Sequence, residues 1–172
     1  MQPAIVIATV GTGTAGRSSN LAQGIVNALR LGMPAACVLA HSQTPDSLTI
    51  AELVAAEVED IHTERRCVFA APDDLAACRA ALRACIRDVR RRFPDHRLVL
   101  NPTSGTKQMT AGAVLAGIDE RVSTIEYIAG ERADGVVKTG TERLVSVDTR
   151  TILAIETARN AAALLEAGAW HG

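Results

Sequence analysis

Aromatic side chains are nearly missing from this chain, which has two Phe, one Tyr and one Trp among 172 residues. Binders of single-stranded nucleic acid stack successive bases on such rings, so that class is disfavoured. Positive charge is not in excess either. Eighteen Lys and Arg stand against nineteen Asp and Glu, a net charge of −1. Long nucleic acid is held mainly by clustered cations, so it is not an expected partner. Any nucleotide ligand is then small and held in a local pocket.

Long apolar runs are also lacking. Those present are broken well short of the about 20 residues that a bilayer-spanning helix needs. No secretory leader is legible, so no membrane partner is expected. The cysteines, Cys37, Cys67, Cys78 and Cys85, form no C-x-x-C pair. Buried free thiols and a reducing cytoplasm are the expectation, with no metal and no cofactor. His41, His62, His96 and His171 fall in no metal-like pair either.

What is present is an aliphatic chain, 48% hydrophobic, of a length that suits one domain with a sizeable core over residues 1–172. The run at 3–10 is continuously apolar, as expected for the central strand of a parallel sheet. Further strands are expected at 35–40, 67–71, 97–100 and 122–129. Helices are expected at about 21–31, capped by Ser19 or Asn20, and from Asp46 or Ser47, with Leu53, Val54, Val58 and Ile61 on one face. A third starts with Pro72-Asp73-Asp74, a proline and acidic residues where the helix dipole favours them, and turns Leu75, Cys78, Leu82, Cys85, Ile86 and Val89 inward. Its Arg83, Arg87, Arg90, Arg91 and Arg92 read as a solvated face. A fourth runs over 109–116. Residues 135–138 and 143–147 suggest a β-hairpin closing the sheet edge, and a last helix follows from Thr149 or Thr151 to Ala167. This order is a Rossmann-like α/β domain: a mostly parallel sheet flanked by helices, then a hairpin and a final helix.

Two polar loops follow the ends of strands, where open α/β sheets bind ligands. The more informative is Asn101-Pro102-Thr103-Ser104-Gly105-Thr106-Lys107-Gln108. Gly105 lets backbone approach a ligand, Ser104 and Thr106 offer hydroxyls, and Lys107 brings charge beside the unpaired N–H groups of a helix start. A plain capping turn would use one Ser or Thr but explains neither the lysine nor the second hydroxyl. The other loop is Gly11-Thr12-Gly13-Thr14-Ala15-Gly16-Arg17-Ser18-Ser19-Asn20. It spells the dinucleotide fingerprint Gly11-x-Gly13-x-x-Gly16. Four polar residues separate Gly16 from its helix, however, and the second strand ends at Ala40-His41-Ser42 with no acid for a ribose diol. NAD(P) binding is therefore the weaker alternative. No Walker motif exists in either loop. With 130–132, the two loops share one sheet edge. The candidate ligand-binding residues are Thr9, Gly11, Thr12, Gly13, Thr14, Ser18, Ser19 and Asn20, then Asn101, Thr103, Ser104, Gly105, Thr106, Lys107 and Gln108, and finally Gly130, Glu131 and Arg132.

This combination resembles the CARF family (CRISPR-associated Rossmann fold). The likeness rests on Ala8-Thr-Val-Gly-Thr-Gly13 after the first strand. It rests more firmly on Asn101-Pro-Thr-Ser-Gly-Thr-Lys107, which looks like the family's Asn/Asp-x-Thr-Gly-Gly-Thr-Lys turn with Ser104 in place of a glycine. Tyr127-Ile-Ala-Gly-Glu-Arg132, Gly135-Val-Val and Gly140-Thr-Glu142 are similar to one subgroup. The resemblance implies binding of a cyclic oligoadenylate messenger of type III CRISPR defence, cyclic tetra-adenylate in the first place, across a homodimer whose two-fold axis matches the ring. It also implies either a ring nuclease or a sensor acting on an effector domain or partner. In a nuclease the ribose 2′-OH would attack in line, with Lys107, Ser104, Thr106, Thr12 and Ser18 as catalytic candidates.

Overall fold

The computed structural model describes residues 2–12, 18–133, 136–138 and 140–166, with side chains for all of these except 18, 132, 133 and 136. Strand β1 (Ala4–Val10) is buried along its whole length, and its residues alternate between two apolar layers. Ile5 and Ile7 face one layer, while Ala4, Val6, Ala8 and Val10 face the other. That is what a two-sided, continuously apolar strand must do at the centre of a parallel sheet. β2 (Ala36–Ser42) and β4 (Arg97–Asn101) pair with it in parallel on either side. β3 (His62–Phe69), β5 (Thr124–Ala129) and an antiparallel edge strand complete the order β3-β2-β1-β4-β5-β8. The edge strand β8 covers Arg143–Asp148.

Helices α1 (Ser18–Gly32) and α2 (Pro45–Glu57) cover one face through Ile25, Val26, Leu29, Ile50 and Val54. Helices α3 (Leu75–Arg92) and α4 (Lys107–Asp119) cover the other through Cys78, Leu82, Ile86, Met109 and Ala113. The result is the expected Rossmann-like α/β domain. A final helix, α5 (Thr149–Glu166), keeps only Thr149 buried.

Several expectations need correction. β3 begins at His62 rather than at residue 67, because an edge strand tolerates charges that look polar in sequence. Arg66 pairs with Glu64 and Asp88, and Arg92 with the same two acids. Cys67 lies exposed on this strand, whereas Cys37, Cys78 and Cys85 are buried. Burial pushes the Cys37 thiol up to about 12. Helix α2 stops at Glu57, so Val58 and Ile61 are buried beyond it, and Leu53 is 43% exposed. Helix α1 opens at Ser18, which places Ser19 and Asn20 inside its first turn rather than at its cap. The segment 136–137 (β7) pairs with β6 (Arg132–Ala133), not with β8, which instead closes the main sheet against β5.

The arginines of α3 are not merely solvated. Arg79 holds Asp119, while Arg83 and Arg87 reach the Glu120 carboxylate at 2.7 and 2.8 Å, and Arg90 donates to the Glu120 carbonyl. These contacts clasp the C-terminal end of α4, where helix carbonyls also favour cations. The hydrogen bond from Arg87 holds the Glu120 carboxyl below its ordinary value of 4.5, outweighing partial burial, and Arg83 acts in the same direction. A carboxyl held low contributes stability that is full above its ordinary value and is lost as pH falls through the lowered one. Glu120→Gln is therefore expected to remove about 1 kcal/mol at pH 7, limited because both arginines remain half in solvent. A melt from pH 7 to pH 3 should show a shallower acid decline for the variant than for the parent.

Candidate functional site

Strand order reverses at β1 and β4: β2 lies on one side of β1, and the chain crosses back to place β4 on the other. At such a switch point the loops leaving the two strands diverge and open a crevice at their carboxyl ends. Here those loops are Gly11 onward and Asn101–Gln108, the two that the sequence singled out. Gly13 and Thr14 lie outside the described residues, as do the side chains of Ser18 and Arg132.

The two loops are locked together at their bases. Thr9 Oγ1 donates to the Ser104 carbonyl, and the Gly11 N–H donates to Ser104 Oγ at 2.9 Å. Thr9 and Ser104 are 1% and 4% exposed. Backbone meets backbone directly at this lock. A Cβ on Gly11 would lie 2.6 Å from Gly105 Cα and 2.8 Å from Gly105 N. Gly105 itself has φ of +137°, a conformation that side chains rarely adopt.

The rest of the β4 loop is equally constrained. Asn101 Oδ1 accepts from the Thr103 N–H at 3.2 Å and from Thr103 Oγ1 at 2.6 Å, a local turn that frees the chain from the strand. Thr103 Oγ1 in turn accepts from the Ile128 N–H at 3.0 Å, which ties the loop to the end of β5 just before Gly130. Thr106 caps α4 by accepting from the Met109 N–H and donates to the Pro72 carbonyl. Lys107 is the first residue of α4, exposed, and no ion pair engages it among the described residues. An exposed ammonium beside the unpaired N–H groups of a thirteen-residue helix is suited to a phosphate.

The structure thus brings Thr9, Gly11, Asn101, Thr103, Ser104, Gly105, Thr106 and Lys107 into one connected edge. Thr12 continues from it, half-exposed, and Gln108 is half-buried in the first turn of α4. Ser19 and Asn20 are exposed at the start of α1. Glu131 points its carboxylate at Lys138 Nζ, 3.3 Å away, within the small hairpin arm. Two of the proposed catalytic hydroxyls, those of Ser104 and Thr106, are engaged in holding the loop.

The search of solved structures finds similar folds. The chain aligns over 96% of its length with Csm6 of Enterococcus italicus, determined bound to cyclic hexa-2′-fluoro-hexa-dAMP, with a TM-score of 0.69 and 15% identity. The chain thus shares its fold with this protein. The chain spans 47% of the Csm6 chain, about half its length. Protein VC1899 of Vibrio cholerae aligns over 73% of this chain and 30% of its own, with a TM-score of 0.56 and 12% identity. Can2 from Sulfobacillus thermosulfidooxidans, in complex with cyclic tetra-adenylate, aligns over 73% and 32% with a TM-score of 0.49 and 15% identity. No protein-family model and no curated protein matches the sequence.

Other residues of this fold support the edge without having been singled out for it. Ser47, fully buried in the first turn of α2, donates to the Val10 carbonyl at 2.7 Å and accepts from the Ser42 N–H at 3.0 Å. It fastens the end of β1 to the end of β2. Sequence suggests a cap at this position, but the observed cap residue is Thr44 and the Ser47 hydroxyl crosses to the sheet instead. Glu142 accepts from Asn27 Nδ2 at 2.9 Å and from the Gly140 N–H, joining α1 to the segment before β8. Partial burial pushes the Glu142 carboxyl up, but the hydrogen bonds it accepts from its own N–H, Asn27, Gly140 and Thr141 outweigh that and hold it below the usual range. Among the described residues, no group of three or more His, Cys, Asp or Glu side chains is placed to hold a metal ion.

Proposed function

We propose that this chain binds a cyclic oligoadenylate, cyclic tetra-adenylate in the first place, as part of type III CRISPR defence. The observation that carries this reading is the interlocked pair of loops at the β1/β4 switch point, with Lys107 standing exposed at the start of α4. Such an edge offers N–H groups and one cation to phosphodiesters while providing no aromatic platform for a long strand. The Csm6 neighbour, which shares the fold and was determined bound to a cyclic oligonucleotide, supports the ligand class. Two copies would each present this edge to half of a two-fold ring. On α5, Ile155 and Leu165 are 49% and 60% exposed, apolar surface that a second copy would cover.

The same edge is proposed to cleave the ring. The ribose 2′-hydroxyl gives up its proton to solvent and its oxygen attacks the adjacent phosphorus, the bond to the 5′-oxygen breaks and that oxygen takes up a proton, and the product ends in a 2′,3′-cyclic phosphate. Alignment of that attack and stabilisation of the phosphorane charge supply the rate. Lys107 and the N–H groups at the start of α4 carry the electrostatic part. Ser104 and Thr106 hold the loop that positions them, and Thr12 and Ser18 are the hydroxyl donors assigned to the reaction.

Incubation of excess protein with cyclic tetra-adenylate in the presence of a chelator, followed by chromatography, tests this. Linear products ending in 2′,3′-cyclic phosphate support the nuclease. A ring that stays intact while remaining bound leaves a sensor acting through an effector domain or partner. Light scattering at saturating ligand is expected to report a dimer, and a monomer would contradict the shared-ring arrangement.

A further inference from the structure

A cavity lies at the opposite end of the sheet from the candidate ligand edge. It is an open groove of about 860 Å³ between the N-terminal ends of β1, β4 and β5 and the first turns of α5. Its charged lining is of one sign only: Arg97, Arg121 and Arg150, with no acidic side chain. Arg150 is paired with Asp148, but Arg97 and Arg121 make no ion pair among the described residues. By contrast, the α3 arginines from Arg79 to Arg92 are all engaged.

The α5 side of the groove is built from Arg150, Leu153, Ala154 and Thr157, spaced i, i+3, i+4, i+7, so one helix face lines it. Continuing that spacing leads to Ala161 and Leu164, the latter 56% exposed. The face therefore runs on as an apolar stripe beyond the groove. It is adjacent to, and distinct from, the stripe of Ile155 and Leu165 assigned above to a second copy.

We propose that this groove is a docking surface for an acidic, amphipathic helical segment of a protein partner. Carboxylates on one side of such a segment meet Arg97 and Arg121, and its apolar side covers Leu153, Ala154 and the stripe beyond. A small anion would satisfy the arginines but leave the apolar stripe in water. A nucleic-acid strand finds no aromatic side chain in the groove on which to stack. A second copy of α5 is a poor occupant, because its Arg150 and Arg159 balance its Glu156 and Glu166 and leave no net negative charge to offer.

The test uses the full chain and a fluorescein-labelled helical peptide of about 18 residues, the length of α5, bearing Glu on one face and Leu on the other. Anisotropy is expected to show saturable binding that is weakened about tenfold in Arg97→Gln/Arg121→Asn, since exposed ion pairs are modest individually and two are removed together. Asn is chosen at 121 because φ there is +49°, which Asn tolerates. Leu153→Ser is expected to weaken the peptide as well. All variants should keep the parent's melting temperature and its affinity for cyclic tetra-adenylate, so a failure here is separable from a failure of the ligand assignment. Equal binding by the arginine variants, or by a peptide with Lys in place of Glu, would overturn the proposal. So would binding of inorganic polyphosphate with no binding of the peptide, or a dimer that the Leu153→Ser substitution dissociates.

Discussion

Replacement of Gly11 by alanine is expected to weaken cyclic oligoadenylate binding by about a hundredfold, the worth of one or two charge-assisted hydrogen bonds. The added methyl would sit 2.6 Å from Gly105 Cα, and its nearest neighbours are backbone atoms that no rotamer change can move aside. Either β1 or the Ser104–Gly105 turn must shift, and with it the N–H groups that follow into α4. Stability should fall by about 1–3 kcal/mol, as for overpacking elsewhere. Gly24→Ala is the matched control. Its Cβ meets nothing within 4 Å on α1, so it should be neutral or slightly stabilising, with affinity unchanged. Calorimetric titration beside thermal melts of both variants separates a blocked lock from a general intolerance of alanine.

Lys107→Ala is expected to lower affinity at least about tenfold, the worth of a hydrogen bond to a charged group. The melting temperature should barely move, because the side chain is exposed and no ion pair is lost among the described residues. This profile is the reverse of the one for Ser104→Ala, where a buried hydroxyl that accepts the Gly11 N–H is removed and stability falls too. Raising salt should weaken the parent more steeply than the Lys107 variant, since the variant has one fewer cation for a phosphate. Unchanged affinity in the variant would reduce the turn to a helix cap.

Much of this was legible in the residues. The unbroken apolar run of β1 announced a central strand, and the two Gly/hydroxyl loops announced the edge that the strand order then brought together. Cys78, Leu82, Cys85, Ile86 and Val89 are buried as their helical spacing required, whereas Leu75, expected among them, is 42% exposed at the helix start. The misreadings have physical causes. β3 alternates half-buried and exposed residues and carries Glu64, Arg65 and Arg66, so only its apolar end looked like a strand. β7 could be placed near β8 by sequence proximity, but pairing is decided by register, which a two-residue segment does not specify. The roles of Ser104 and Thr106 were half visible: their hydroxyls marked the loop, yet only the folded arrangement brings up Gly11, Pro72 and Met109 to engage them. Ser47 gave no signal beyond a helix start.

The most direct test of the account is isothermal calorimetry of the full chain with cyclic tri-, tetra- and hexa-adenylate, with NAD as the competing class. The account predicts tight, saturable heat with a cyclic oligoadenylate, strongest for the tetramer at one ring per two chains, and none with NAD. Heat with NAD alone, and none with any ring, would contradict it.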